Sequence, residues 1–247
     1  MKLLICIDDT DNLESIGSGE LLQIMGEELS ARGLGRAGFI TRHQLYVHED
    51  IPYTSHNSSM CCELETEEQH YADIRSFATE FLKENAAEGS DPGLCIVKRN
   101  QLAPENTRRL IAYGRKAKFE ILNKAMAYEF AGDLSEHIHL SEHGGTGQGV
   151  IGALAGCGLR LSGNDGRMKG KIYPENEGNI MTVEHICKRY PFDAVREISG
   201  KRLTGNDRVK LGSELKGVFL DHQITLMVKP LENDIFMTCS KKELKAY

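Results

Sequence analysis

Leu3-Leu4-Ile5-Cys6-Ile7-Asp8-Asp9-Thr10-Asp11 opens the chain and decides how the rest is read. Five apolar residues in a row read as a short strand buried on both faces, since a half-exposed strand would alternate with polar residues. Three carboxylates follow at once. Acids crowded this closely repel one another, and a hard cation such as Mg²⁺ would offset the repulsion while sharing itself with substrate phosphates. In open α/β sheets, ligands gather beyond the carboxyl ends of the strands, where this cluster falls. The competing reading is a solvated turn in which Asp11 or Asn12 acts as a cap.

Working outward, the apolar spacing from Gly19 to Gly33 predicts a helix, with Gly33 as its stop. Gly38-Phe39-Ile40 with Gln44 to Val47, and then Met60 to Leu64, predict two further strands. A second helix is expected from Gln69 to Asn85. Gly89-Ser90-Asp91-Pro92-Gly93 breaks the chain before a fourth strand, Leu94 to Val97. This order is that of a ferredoxin-like βαββαβ unit, and the fold class is α/β in the α+β sense. The expected organisation is a ferredoxin-like domain over residues 1–100, carrying the acidic turn. A second mixed α/β domain over residues 101–247 carries the glycine-rich segment described next. Within it, residues 101 to 131 read as helical, Leu134 to Gly149 as polar, and the chain beyond Arg160 as rich in strands and loops.

His143-Gly144-Gly145-Thr146-Gly147-Gln148-Gly149 runs into an apolar stretch with helical character. A loop feeding a helix N-terminus collects free backbone N–H groups and positive dipole, which suits phosphate. Thr146, Gly147 and Gly149 are the expected contacts, and Thr10, Ser18 and Gly19 offer a second group at the start of the first helix. The bland reading has these glycines serving close helix packing and Ser18 a cap. The segment lacks the Gly-Lys-[Ser/Thr] of a P-loop. His56 and Asn57, in the polar run Thr54 to Ser59, are the expected substrate contacts. His137, His139 and His143 show no metal-ligand spacing and read as surface or substrate-contact residues.

The net charge of -6 over 247 residues excludes a globally basic nucleic-acid binder. Lys98, Arg99, Arg108, Arg109 and their neighbours up to Lys118 still make a local basic zone. Apolar runs are too short for a membrane span. The seven cysteines are odd in number and show no C-x-x-C pair. They read as reduced, packed thiols of a cytoplasmic protein rather than as disulfides or a zinc site.

Four blocks in order resemble the archaeal tRNA-isoleucine 2-agmatinylcytidine synthetase family. They are Ile5 to Asn12, Ile51-Pro52 with its polar loop, Asp91-Pro92-Gly93-Leu94, and Gly147 to Ala155. The resemblance spans roughly residues 3 to 160. It implies a kinase-like domain joined to a ferredoxin-like one, and ATP with Mg²⁺ as cofactors. It also implies activation of a cytidine carbonyl in tRNA by phosphorylation before an amine displaces the phosphate. The family carries a phosphorylated threonine in a Gly-Met-Cys-Thr-Thr context. Here Gly17-Ser18-Gly19-Glu20 stands instead, so that role is not transferred. The expected match is to the ATP-handling part, without the family's OB-fold and zinc ribbon.

Two functions are therefore expected. The first is an ATP- and Mg²⁺-dependent ligase or kinase-like enzyme acting on an oxygen of a tRNA nucleotide or a small molecule, with Asp8, Asp9 and Asp11 as metal-holding catalytic residues. The second is a non-catalytic nucleotide- or tRNA-binding module that works with a partner.

Overall fold

The computed structural model describes residues 1–53, 56–244 and 247, as two compact units, Met1–Ser162 and Gly163–Tyr247. The first unit begins β1 (Lys2–Asp8), α1 (Ser18–Ala31), β2 (Arg36–Gln44), β3 (Ser58–Glu65), α2 (Tyr71–Asn85) and β4 (Gly93–Lys98). β1 lies antiparallel between β3 and β4, and β2 pairs with β3 on the far side. That strand order, β4-β1-β3-β2, is the ferredoxin-like one expected from the sequence.

The next elements fold back onto this sheet. They are α3 (Pro104–Lys116), α4 (Lys124–Asp133), β5 (Ile138–Glu142) and α5 (Gly149–Ser162). β5 adds an antiparallel strand at the edge of β4, and α5 lies across β4, β1 and β3. The border between units therefore falls after Ser162 rather than near residue 100. Residues 101–162 have no sheet of their own on which to bury their apolar faces, and they use the second face of the first.

Both faces of this sheet are covered, which is why β1 needs an unbroken apolar run. Leu3, Ile5 and Ile7 pack with the α1 and α2 side chains. Leu4 and Cys6 point the other way, into a core shared with α3, α4 and α5. By the two-residue period of a strand, Asp8 falls on the second set.

Four glycines inside α5 cost that helix roughly 1 kcal/mol each against alanine. Packing has to return that energy. Gly149, Gly152 and Gly156 face the sheet, while Gly158 faces α3, where a Cβ would sit 2.1 Å from the Leu110 carbonyl oxygen. Gly149 and Gly158 thereby meet backbone, while Gly152 and Gly156 make room for the Asp8, Ser59 and Cys6 side chains.

The second unit holds β6 (Arg167–Met168), β7 (Ile180–Thr182), α6 (Val183–Arg189), β8 (Ala194–Glu197) and β9 (Arg208–Lys210), then β10 (Gly217–Leu220), β11 (Gln223–Pro230) and β12 (Ile235–Thr238). Its strands run β6-β10-β11-β12-β9-β7, with β8 parallel to β11. Asp221 and His222 both take positive φ, 47° and 59°, and close the β10–β11 hairpin in the sense that matches strand twist. The mixed, strand-rich architecture expected beyond Arg160 is present.

Candidate active site

The carboxyl end of β1, the N-terminal turn of α5 and the loop after β2 enclose an open pocket of about 100 Å³. Asp8 enters it from β1 on the α5 side. Its Oδ2 occupies the space a side chain at position 152 would need: a Cβ on Gly152 would lie 1.7 Å away. Asp9 turns the chain with φ of 51°, a left-handed conformation that aspartate tolerates better than most residues. Asp11 accepts a hydrogen bond from Ser18 Oγ at 3.2 Å, and Ser18 in turn accepts one from buried Thr10 at 3.0 Å. Asn12, rather than an aspartate, closes the following turn, its Oδ1 accepting from Glu14 and Ser15 N–H at 3.0 Å.

The electrostatics of this cluster are unbalanced. Burial, then the charges of Asp9 and Asp11, push the Asp8 carboxyl up to about 8, although a sliver of its surface opens to the pocket. Burial, then the charges of Asp91 and Asp11, push Asp9 up to about 6. Burial raises Asp11 as well, against the Ser18 hydrogen bond and the Arg42 charge. Asp50 and Glu120 add two more carboxylates to the lining, and no lysine or arginine lines it among the described residues. Even with Asp8 holding its proton near neutral pH, the other four acids around one small opening give a negative field that admits a cation and repels a bare phosphate.

The aspartates flank the opening without closing on one point. Their oxygens are not gathered within 4.8 Å of one another, a distance that among the described residues only a cysteine trio meets. That spacing suits a Mg²⁺ bound through one or two carboxylates and completed by ligand oxygens and water. The donor set of hard oxygens and the uncompensated charge both fit the ion.

Of the residues singled out from sequence, Asp8, Asp9, Asp11, Ser18, His56, Asn57 and Gly149 line the pocket. Asn57 is spent on its own loop: its Nδ2 donates to the Tyr46 carbonyl at 2.6 Å. Thr54 and Ser55 lie outside the described residues. Thr10 and Gly19 sit behind the lining, Thr10 buried in the turn after β1 against Ser18 and Gly19 buried in the first turn of α1. Thr146 and Gly147 do not reach the pocket. The Thr146 N–H and hydroxyl both donate to the Asp91 carboxylate. Gly147, at φ of 75°, backs onto Glu142, itself 2.7 Å from Lys124 Nζ. Gly149 donates its N–H to the Asp91 carbonyl at 3.1 Å, and a Cβ there would strike that same oxygen at 2.2 Å. The glycines thus serve close packing of the α5 N-terminus, the plainer of the two readings.

Asp91 is the residue that sequence reasoning missed. One carboxylate and one carbonyl fasten the loop before α5 to the start of β4, and the same charge raises Asp9. Its sequence signals were its place in Asp91-Pro92-Gly93, read as a break, and in one of the blocks of family resemblance, neither of which gave it a role. The histidine expectation is partly redrawn. Ser141 Oγ sits between His139 Nε2 at 3.1 Å and His143 Nε2 at 2.9 Å, on one face of β5 and away from the pocket. Three cations of the basic zone are paired, Arg99 with Glu63, Arg109 with Asp133 and Lys116 with Glu120.

No protein-family model matches the chain, and no curated protein matches it significantly. Solved structures do. A tRNA fluorescent labeling enzyme superposes with a TM-score of 0.55 at 24% identity, over 77% of this chain and 45% of its own. Apo TiaS, a tRNA agmatidine synthetase, gives 0.54 at 23% identity, over 82% and 48%. TiaS in complex with its tRNA and ATP gives 0.55 at 23% identity, over 83% and 50%. The fold is similar to that of TiaS. The chain spans about half the length of the solved structures it matches, and the likeness bears on fold alone. Among the described residues no helix is long and apolar enough to cross a membrane.

Proposed function

We propose that this chain is an ATP- and Mg²⁺-dependent enzyme that activates an oxygen of a tRNA nucleotide or a small molecule by phosphoryl transfer. The observation that carries the reading is the pocket of five carboxylates with no lysine or arginine in its lining among the described residues. A nucleotide triphosphate would be repelled from it alone, and admitted once a divalent cation neutralises Asp8 and Asp9. Likeness to the complex of TiaS with tRNA and ATP supports the same assignment through the fold.

In this reading Asp8 and Asp9 hold the cation, and Asp11, one oxygen of which is held by Ser18, adds negative charge beside it. Mg²⁺ would supply charge neutralisation on the transferring phosphoryl group. The protein's own contribution is placement. The Asp91 clasp and the glycine contacts of α5 fix the helix N-terminus beside Asp8, where its dipole favours an anion. Tyr53 and Ile121, exposed at the pocket wall, offer flat apolar surface on which a base can stack.

The test is calorimetry of ATP binding with Mg²⁺ and with EDTA. Binding only with Mg²⁺ is expected, and equal heats under both conditions refute the cation requirement. A second reading is that of a nucleotide-binding module without turnover. Gly17-Ser18-Gly19-Glu20 favours it, because no threonine is present at the start of α1. Tight MgATP binding with no phosphate release across tRNA and small-molecule acceptors would establish that alternative.

A further inference from the structure

Beneath α5, deeper than the acidic pocket and separate from it, the first unit buries a cluster of sulfur and polar atoms that the proposed activity does not use. Cys6 on β1 and Cys61 on β3 are direct cross-strand partners. Cys157 on α5 descends onto them, and the three Sγ atoms lie within 4.8 Å of one another with all three residues fully buried. Cys62 points to the opposite face, into the α1 and α2 core, and takes no part.

Two further observations set this trio apart from ordinary packed thiols. The Ser59 hydroxyl is fully buried and finds no hydrogen-bond partner, a costly state for a polar group in a core. It is aimed at the trio: the point where a Gly156 Cβ would stand lies 2.4 Å from Ser59 Oγ and 2.5 Å from Cys6 Sγ. A buried guanidinium also stands by. Arg160 stacks 4.0 Å over Phe39 and donates to Thr41 Oγ1 at 3.0 Å, and Thr41 is the strand partner of Cys61.

We propose that Cys6, Cys61 and Cys157 form a thiolate site for one Zn²⁺ ion, with the Ser59 hydroxyl at the fourth, tetrahedral position. The size is right. The centre of a triangle with sides of at most 4.8 Å lies within about 2.8 Å of each corner, and zinc–thiolate bonds of about 2.3 Å need only a small contraction. The charge is right as well. Three thiolates on a divalent ion leave one negative charge, which Arg160 balances within the same core. A monovalent soft ion would leave two. Binding releases the thiol protons, so loading is favoured by rising pH.

Full-length protein, reduced and loaded with Zn²⁺, is dialysed against a weak chelator and its metal content measured, in the wild type and in Asp8→Asn. One zinc ion per chain retained in both is expected, since the carboxylates are not the ligands. Substitution with Co²⁺ is expected to give a thiolate-to-metal charge-transfer band in the near ultraviolet, lost in Cys61→Ser and in Cys157→Ser but kept in Cys62→Ser. Should the serine variants fail to fold, the wild-type Co²⁺ spectrum decides alone, because carboxylate-bound Co²⁺ lacks that band. A spectrum without it, or zinc that leaves with Asp8→Asn, overturns the site and returns the trio to packed thiols.

Discussion

Replacing Asp8 by asparagine keeps the shape that fits against Gly152 and removes only the charge. The wild-type carboxyl titrates at about 8 against 3.8 for the free group. Between those values the native state holds a proton that the unfolded chain has released, so metal-free stability is full near pH 4 and falls as pH rises towards 8. One pH unit corresponds to about 1.4 kcal/mol, which sets an upper limit of roughly 6 kcal/mol on the cost of the bare charged carboxylate. Water in the open pocket screens part of this, and about 2–3 kcal/mol is the working expectation. In EDTA, urea unfolding from pH 5 to 9 should show the wild type losing stability with pH. Asp8→Asn should follow a shallower line, steepest below pH 6 where Asp9 titrates, and should be the more stable protein at pH 8. Saturating Mg²⁺ should raise the wild type most at high pH and the variant little. Parallel pH curves for the two proteins in EDTA would refute the argument, because an unstrained, solvated Asp8 predicts no difference in slope.

Gly152→Ala is expected to abolish the thermal shift given by MgATP and to cost about 1–3 kcal/mol through overpacking, since the new Cβ would stand 1.7 Å from Asp8 Oδ2. Gly156→Ala should cost a similar amount, about 1–3 kcal/mol, yet leave nucleotide affinity in calorimetry unchanged, because its contacts are Ser59 and Cys6 rather than the pocket. Asp91→Ala frees the Thr146 N–H and hydroxyl at a cost of about 1 kcal/mol. Faster hydrogen exchange confined to residues 143–149, with weaker MgATP binding, is the expected result, and unchanged protection there would remove the clasp.

The parts of this fold that were legible in the sequence are those set by local pattern. The unbroken run Leu3 to Ile7 announced a doubly covered strand, and the alternation of strand and helix up to Val97 yielded the strand order. β5 was not legible. Ile138 and Leu140 face the core while His139, Ser141 and His143 share the other face, so the segment reads as polar. The unit border was hidden for a related reason. No change of composition marks Ser162, and only the demand of α3, α4 and α5 for a surface to cover places them with the first sheet.

At the site, three adjacent aspartates were conspicuous, whereas the partner of Thr146 lies 55 residues earlier in the chain and leaves no trace in spacing. Gly149, Gly152 and Gly156 were visible as small residues. Their use depends on what stands opposite, and spacing alone cannot tell a phosphate from the Asp91 carbonyl.

The glycine face of α5 also determines how this protein can change. Where two elements meet through side chains, a lost methylene in one can be answered by a gained methylene in the other, and the interface drifts while the fold persists. Where one element makes the contact through a glycine, it has no side chain left to trade. Saturation mutagenesis should therefore show a ladder of intolerant rungs at positions 149, 152, 156 and 158, following the turns of one helix, beside neighbours such as Ile151 that accept replacement. Along that ladder successive turns of one helix are pressed against the acidic pocket, the thiol cluster and α3 in order, so each contact is set by its own glycine.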